Sequence, residues 1–115
     1  MAAPHDVPTA VQLVEAVREW LERDVAPEAD GRFRFHARVA VNMLAMVERE
    51  LVLGPDQAEA HVERLARLGV ADDAELARRI RSGELDDRLD EVKAVVAASV
   101  RDKLTVANPR YLDAP

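Results

Sequence analysis

Residues 33–53 read FRFHARVAVNMLAMVERELVL, and this stretch decides the fold. Its apolar residues recur at helical spacing and spread over well more than a third of a helix circumference. A helix that is apolar over such a wide arc is usually central and contacts several neighbours. The stretch therefore predicts a central helix from Phe33 to Leu53, the most buried of the fold. The residues of the arc are Val39, Ala40, Met43, Leu44, Met46, Val47 and Leu51.

Four further helices are predicted around this one, and no stretch alternates with the period of a β-strand. We therefore expect an all-α, single-domain helical bundle of about five helices, with three long helices and a short helical hairpin inserted between the second and the last. Residues 1–8 and 113–115 are expected to be flexible. The further helices are predicted at Ala10–Asp24, Pro55–Leu68, Asp73–Ser82 and Asp87–Ala107.

The predicted helix ends rest on capping residues. Thr9 with Gln12 has the spacing of a capping box, as does Asp72 with Glu75. Gly54 is expected to end the second helix and Pro55 to open the third, because glycine favours helix C-termini and proline the first helical position. Gly69 and Gly83 are expected to close the third and fourth helices, and Asn108-Pro109 the last.

Polar residues interrupt the predicted apolar faces at three positions. On a helical wheel, His36 and Glu50 fall within the arc of the second helix, and Lys103 falls within the stripe of the last. Buried polar groups need partners, so these side chains predict either a built polar site or helix ends at which long side chains reach water. The stripe of the last helix is Leu89, Val92, Val96, Val100, Leu104 and Ala107.

The composition bounds the class of protein. A chain of 115 residues fits one domain, and its lack of cysteine excludes disulfides, thiolate catalysis and zinc–thiolate sites. The net charge of −6 disfavours nonspecific nucleic-acid binding. No apolar run is long enough to span a membrane, and residues 1–8 lack the pattern of a secretory signal. We therefore expect a cytoplasmic protein that binds neither nucleic acid nor membrane.

Basic residues cluster in one segment of this acidic chain. Residues 1–31 carry a net charge of −5, whereas Arg32–Arg38 holds three arginines, one histidine and no acid. Such a patch predicts an anion site or a docking surface, and the alternative is a solvated helix start. Alternation of the long helices would bring Lys103 towards it. The candidate binding residues are Arg32, Arg34, His36, Arg38, Asn42, Lys103 and Arg110.

No complete catalytic motif is present. The chain lacks a nucleophile elbow, a glycine-rich phosphate loop and histidines at metal-binding spacing. Asp86, Asp87 and Asp90 form an aspartate-rich motif without a second copy, and acids at a helix start are explained by the helix dipole. The acidic face of the first helix is expected to point to water. We therefore expect no catalytic residue, no metal and no cofactor, with a metal-dependent hydrolase as the weakest alternative.

Three segments together resemble a bacterial family of small proteins known as a domain of unknown function. They are Pro8–Leu21 (PTAVQLVEAVREWL), Arg34–Leu51 (RFHARVAVNMLAMVEREL) and Arg101–Leu112 (RDKLTVANPRYL). Members of that family are typically encoded beside aminoglycoside-phosphotransferase-like kinases and acyl-CoA dehydrogenases. In 4-hydroxy-acid catabolism, the small protein accompanies the kinase that phosphorylates a 4-hydroxyacyl-CoA. The resemblance implies no catalytic residues for this chain.

Two hypotheses for the function follow. The resemblance implies a non-catalytic accessory subunit of a phosphotransferase-like kinase in hydroxyacyl-CoA catabolism. This agrees with the residues, because a kinase needs a nucleotide cradle, a catalytic aspartate and magnesium ligands, and none is recognisable here. The alternative is a stand-alone helical protein that binds a CoA ester or another anion among its helices. A homo-oligomer is compatible with either hypothesis.

Overall fold

A computed structural model describes residues 4 and 6–113, all of whose regular structure is helical. The predicted all-α class is therefore confirmed for the described chain. Residues 1–3, 5, 114 and 115, on which part of the expected terminal flexibility falls, lie outside the described residues. The helices are α1 (Ala10–Trp20), α2 (Gly31–Arg67), α3 (Asp73–Ser82), α4 (Leu89–Ala107) and α5 (Pro109–Leu112).

The chain divides into two compact units, Met1–Leu53 and Gly54–Pro115, and the boundary falls within α2. We call them unit 1 and unit 2 and describe each by itself. Unit 1 contains α1 and the first part of α2, whereas unit 2 contains the remainder of α2 with α3, α4 and α5. The expectation of a single domain stays a prediction.

The predicted break at Gly54–Pro55 is wrong, because α2 runs without interruption from Gly31 to Arg67 with Pro55 inside it. Gly54 is not among the glycines with positive φ, so it does not adopt the left-handed conformation that ends a helix. The φ that the proline ring imposes is itself helical. Pro55 therefore removes one backbone donor, the one facing the carbonyl of Leu51, without stopping the helix.

The capping box predicted for α1 is confirmed, whereas at α3 Asp72 is the N-cap but the Glu75 side chain accepts from the Ala71 N–H and not from that of Asp72. The Thr9 hydroxyl accepts a hydrogen bond from the Gln12 N–H at 3.1 Å, and the Gln12 side chain accepts one from the Thr9 N–H at 2.8 Å. The Asp72 carboxylate caps α3 by accepting from the Glu75 N–H at 2.8 Å. Gly83 ends α3 with a φ of 84°, a conformation that glycine adopts without strain.

Two other predicted helices differ from the structure at one end. The first was expected to reach Asp24, but α1 stops at Trp20 and continues as a wider π-helical turn over Leu21–Val25 and a 3₁₀ turn over Ala26–Glu28. The last was expected to begin at Asp87, but a 3₁₀ turn over Asp86–Arg88 precedes α4. The chain at these ends continues as π or 3₁₀ turns. The periodicity of the sequence does not distinguish such turns from the last turn of an α-helix.

In unit 1, α1 is fixed to α2 by an ion pair. The Arg18 guanidinium donates to both carboxylate oxygens of Glu48, one of them through Nε and the other through Nη2 at 3.4 Å. This hydrogen bond raises the pKa of Arg18 above its ordinary value. The side chains are mostly buried, so the pair sets which face of α2 lies towards α1.

The expectation that the second helix is the most buried is wrong. Met43 is 60% exposed, and Val39, Met46, Val47 and Leu51 are exposed as well, whereas Ala37 is the buried residue of that stretch. The helical wheel gives the width of an apolar arc but not the number of neighbours that cover it. In unit 1, α1 covers one side of α2 and leaves much of the arc uncovered.

The buried core lies in unit 2. It forms where the end of α2, the turn after it, α3 and the start of α4 fold together, and Leu68 at its centre is 1% exposed. The predicted stripe of the last helix is also wrong in part, because Val96 and Val100 are exposed while Val92 and Val95 are buried. The core residues are Leu65, Leu68, Val70, Leu76, Leu85, Val92 and Val95.

We expect the stability of unit 2 to fall on acidification partly through Glu75. Its carboxylate accepts a hydrogen bond from the Ala71 N–H at 2.8 Å and pairs with Arg79 at 2.7 Å. These contacts, the backbone bond first, lower the pKa of Glu75. A lowered pKa gives stability that is present at neutral pH and lost as the pH falls through the folded-state value.

This is checked by urea unfolding of Glu75→Gln and the native chain across the acid range. The stability difference between them should be largest at neutral pH and shrink on acidification. Glu63→Gln, at an exposed position of α2, is the control. A difference that is the same at both ends of the pH range would show that the charge of Glu75 contributes nothing.

Candidate functional site

The first two turns of α2 form the basic–aromatic segment, which we define as Arg32–Arg38. All of its residues except Ala37 are exposed, and Phe33 and Phe35 are exposed by 71% and 63%. Two of the four aromatic residues of the chain therefore lie in water among three arginines. Sequence reasoning identified the basic residues of this surface but not the exposure of its aromatic rings.

The start of α2 is fixed by Gly31 and Arg34. Gly31 has a φ of 53°, a left-handed conformation that glycine adopts without strain, at the point where the helix begins. The Arg34 guanidinium donates to the carbonyl oxygens of Ala26 and Pro27 at 3.3 and 3.1 Å. Arg34 therefore holds the 3₁₀ turn against the helix, which is a structural task that the sequence did not indicate.

Cations and rings are paired on this surface. The Arg32 guanidinium carbon lies 5.8 Å from the centre of the Phe33 ring, a cation–π distance. The rings of Phe35 and His36 meet edge to face, with centres 5.6 Å apart. Arg38 is exposed one turn further along the helix. Because they are two residues apart on a helix, the Phe33 and Phe35 rings lie on different sides of α2, Phe33 beside Arg32 and Phe35 beside His36.

The remaining candidate residues lie outside this segment. Asn42 is exposed on α2 in unit 1, whereas Lys103 and Arg110 are exposed on α4 and α5 in unit 2. The exposure of Lys103 agrees with the second alternative for these positions, a helix end at which a long side chain reaches water. Its exposure leaves it free to reach water without a built partner.

The acidic clusters do not assemble a metal site. Within residues 4 and 6–113, no group of three or more carboxylates and histidines is placed to hold an ion. Glu19 and Glu22 instead make helical ion pairs with Arg23 and Arg18 at 3.7 and 3.5 Å. The helices of the described chain are also too short or too polar to cross a membrane.

Unit 2 contains a polar seam that sequence reasoning missed. Facing residues of α2 and α4 are joined by two hydrogen bonds, Gln57 to Thr105 at 2.8 Å and His61 to Ser99 at 3.1 Å, and by an ion pair between Arg64 and Asp102 at 2.9 Å. The apolar stripe predicted for the last helix pointed away from this contact, because Ser99 and Asp102 are not apolar. The face Val92, Val95, Ser99, Asp102 has the same helical spacing and would have identified it.

Ser99, His61 and Asp73 form a chain with the composition of a hydrolase triad. His61 lies 3.1 Å from the Ser99 oxygen and 2.9 Å from the Asp73 carboxylate. The Ser99 hydroxyl, however, also donates to the Val95 carbonyl oxygen at 3.0 Å. Ser99 lies within α4, whose backbone N–H groups are used along the helix and are not available for an oxyanion. The chain of contacts joins helices rather than supporting acyl transfer.

Comparison with protein families gives a match over most of the chain. Residues 27–111 match the family model described as Domain of unknown function (DUF6285), and this range contains the whole of the basic–aromatic segment and the polar seam. Comparison with curated proteins gives no match, and neither does comparison with solved structures. Since the matched residues make up well over half of the chain, the protein belongs to the DUF6285 family.

Proposed function

We propose that the protein is a non-catalytic interaction subunit that docks on a partner through the basic–aromatic segment. One observation carries the proposal, the exposure of Phe33 among the arginines of the first turns of α2, with Phe35 exposed on another side of the helix. Large apolar rings in water cost free energy that burial in a partner would recover. Aromatic residues and arginine are also the side chains most enriched at the energetic centres of protein interfaces.

The charge of the segment defines the kind of partner. Arg32 and Arg38 carry positive charge on an otherwise acidic chain, so the docking surface of the partner should be acidic and contain an apolar pocket. Arginine pairs with carboxylates through two parallel hydrogen bonds, which gives such a contact directional specificity. A carboxylate-lined pocket on a protein meets both requirements.

We assign this partner to the class of aminoglycoside-phosphotransferase-like kinases that act on hydroxyacyl-CoA. The support is the resemblance of the three sequence segments to small companions of such kinases. The range that matches the family, residues 27–111, contains the proposed docking surface. A kinase of this class from the same organism is therefore the partner to test first.

The test is the affinity of the full chain for that purified kinase, measured by calorimetry. We expect Phe33→Ala with Arg38→Ala to weaken binding by about 100-fold, because two hot-spot side chains are lost. Arg34 is left intact, since its side chain holds the preceding turn. The control replaces Val62 and Arg101, an exposed apolar and an exposed basic residue of unit 2, by alanine.

Three outcomes decide between the hypotheses. Loss of affinity in the Phe33/Arg38 variant alone supports the proposal, provided that its helical circular dichroism equals that of the native chain. Equal loss in both variants, or none in either, contradicts it. Stabilisation of the isolated protein by a CoA ester in a thermal-shift assay, without kinase binding, would instead favour the stand-alone binder.

A further inference from the structure

A second uncovered surface runs along α2 in unit 1. Its residues follow one another at intervals of four and three, and all six are exposed. Intervals that alternate in this way place side chains along one face of a helix, as in the a and d positions of a coiled coil. We call this face the α2 seam, and it consists of Arg32, His36, Val39, Met43, Met46 and Glu50.

The α2 seam faces away from α1. At 100° per residue, its mean direction is about 140° around the helix from Ala37, the buried residue of that stretch. Glu48, which pairs with Arg18 of α1, lies on the side of Ala37. The exposed Phe35 and Val47 flank the α2 seam and widen its apolar centre. Within unit 1, α1 therefore leaves this face open.

The order of charges along the α2 seam makes it complementary to itself. Arg32 lies at the N-terminal end, Glu50 at the C-terminal end, and the apolar residues Val39, Met43 and Met46 between them. We propose that this face packs antiparallel against the same face of a second copy of the chain. In that pairing Arg32 of each copy meets Glu50 of the other, and Val39 meets Met43 across the two-fold axis.

The register follows from the spacing. When two identical helices pack antiparallel, the residue numbers of facing positions add up to the same value. The value that places Arg32 opposite Glu50 also gives two further pairs, His36 with Met46 and Val39 with Met43. All six residues then find a partner in one arrangement. A parallel pairing would instead place Arg32 against Arg32 and Glu50 against Glu50, which costs free energy.

A second copy explains the α2 seam better than an unrelated protein does. An unrelated partner needs no two-fold relation between the charges at the two ends, whereas an isologous dimer requires that each patch complement itself. The kinase proposed above would be bound mainly by Phe33 and Arg38, which lie about 100° and 120° around the helix from the mean direction of the α2 seam. Arg32 belongs to both surfaces, so the two contacts are separated by the Phe33/Arg38 and Met43 variants.

The test is sedimentation equilibrium of the full chain at roughly 0.1 mM, since a short seam supports at best a moderate affinity. The native protein should be a dimer. Met43→Glu should be a monomer, because two carboxylates would enter the apolar centre, and Val62→Glu in unit 2 is the control that stays dimeric. Circular dichroism confirms that each variant is helical.

A charge swap tests the direction of the pairing. Arg32→Glu alone and Glu50→Arg alone should each weaken the dimer at least about tenfold, and the double variant should restore it. A native chain that is monomeric, a Met43→Glu variant that still dimerises, or a double variant no better than the single ones would overturn the proposal. A native chain that binds the kinase but does not dimerise would overturn the dimer and leave the proposed function intact. A Phe33/Arg38 variant that still dimerises, together with a native chain that does not bind the kinase, would overturn the proposed function and leave the dimer intact.

Discussion

Leu68→Ala is expected to lower the free energy of unfolding by about 2–5 kcal/mol, more than any other single substitution proposed for this chain. Leu68 is 1% exposed and lies at the centre of the core of unit 2, where α2 ends and the chain turns towards α3. Truncation removes buried methyl groups and leaves a cavity that the surrounding helices fill only in part. Urea unfolding followed by circular dichroism measures the change.

Met43→Ala is the matched control for Leu68→Ala. The helical pattern of α2 predicts Met43 at the centre of a buried arc, and the structure leaves its side chain 60% exposed. Its truncation in the monomeric chain should therefore cost less than about 1 kcal/mol. If the two substitutions destabilised the protein equally, the core would not lie where the structure places it. Leu68→Val provides a milder change if the alanine variant does not fold.

Asp102→Ala is expected to cost about 1–3 kcal/mol, the second-largest effect on stability. The Asp102 carboxylate lies 2.9 Å from a guanidinium nitrogen of Arg64, and both side chains are mostly buried. A second nitrogen of that guanidinium, Nη1, is buried without an acceptor among the described residues. Removal of Asp102 would leave the mostly buried Arg64 guanidinium without this ion pair, and water has poor access there to replace it.

The comparison variants separate charge from geometry. Asp102→Asn keeps the shape of the side chain and an oxygen beside the guanidinium and should recover part of the loss, because the packing is retained without the charge. Glu84→Ala removes an exposed carboxylate 3.6 Å from Arg79 and should change stability by less than about 0.5 kcal/mol. Alanine is also the better helix former, so the loss measured for Asp102→Ala is a lower limit. Equal values for Asp102→Ala and Glu84→Ala would contradict the assignment of a buried pair.

Features that depend on neighbouring residues were predictable from the sequence. The caps at Thr9 and Asp72 and the ends of α3 at Gly83 and of α4 at Asn108 agree with the structure. These signals act over three or four residues and need no tertiary contact. The continuation of α2 through Gly54 and Pro55 was not predictable in this way, because neither residue forbids a helical conformation and surrounding contacts decide.

Burial was the harder inference, and α4 shows why. Its contact face begins with Val92 and Val95 and continues with Ser99 and Asp102, so hydrophobicity alone favours the wrong side of the helix. The polar half of that face is stabilised by hydrogen bonds that no single-helix pattern reveals. On α2, the arc is as apolar as predicted, but the neighbours of the helix in unit 1 cover only one side of it.

For the basic–aromatic segment, the positive charge was predictable from the sequence, but the exposure of the aromatic rings was not. The contrast between an acidic N-terminal stretch and the bases of Arg32–Arg38 is visible in the sequence. Phe33 and Phe35 read as residues of a helix start, and aromatic residues are buried more often than not. Only the structure distinguishes an exposed pair of rings from a buried one, and their exposure is what turns a basic patch into a candidate docking surface.

If the basic–aromatic segment recruits a kinase, the rate of the kinase reaction must depend on it. The decisive measurement is phosphorylation of a 4-hydroxyacyl-CoA by the purified aminoglycoside-phosphotransferase-like kinase, with increasing amounts of the native chain or of the Phe33→Ala, Arg38→Ala variant. We expect the native chain to raise turnover to a plateau and the variant to need about 100-fold more protein to reach the same plateau. A variant that activates the kinase at the same concentration as the native chain would contradict the proposed docking through this segment.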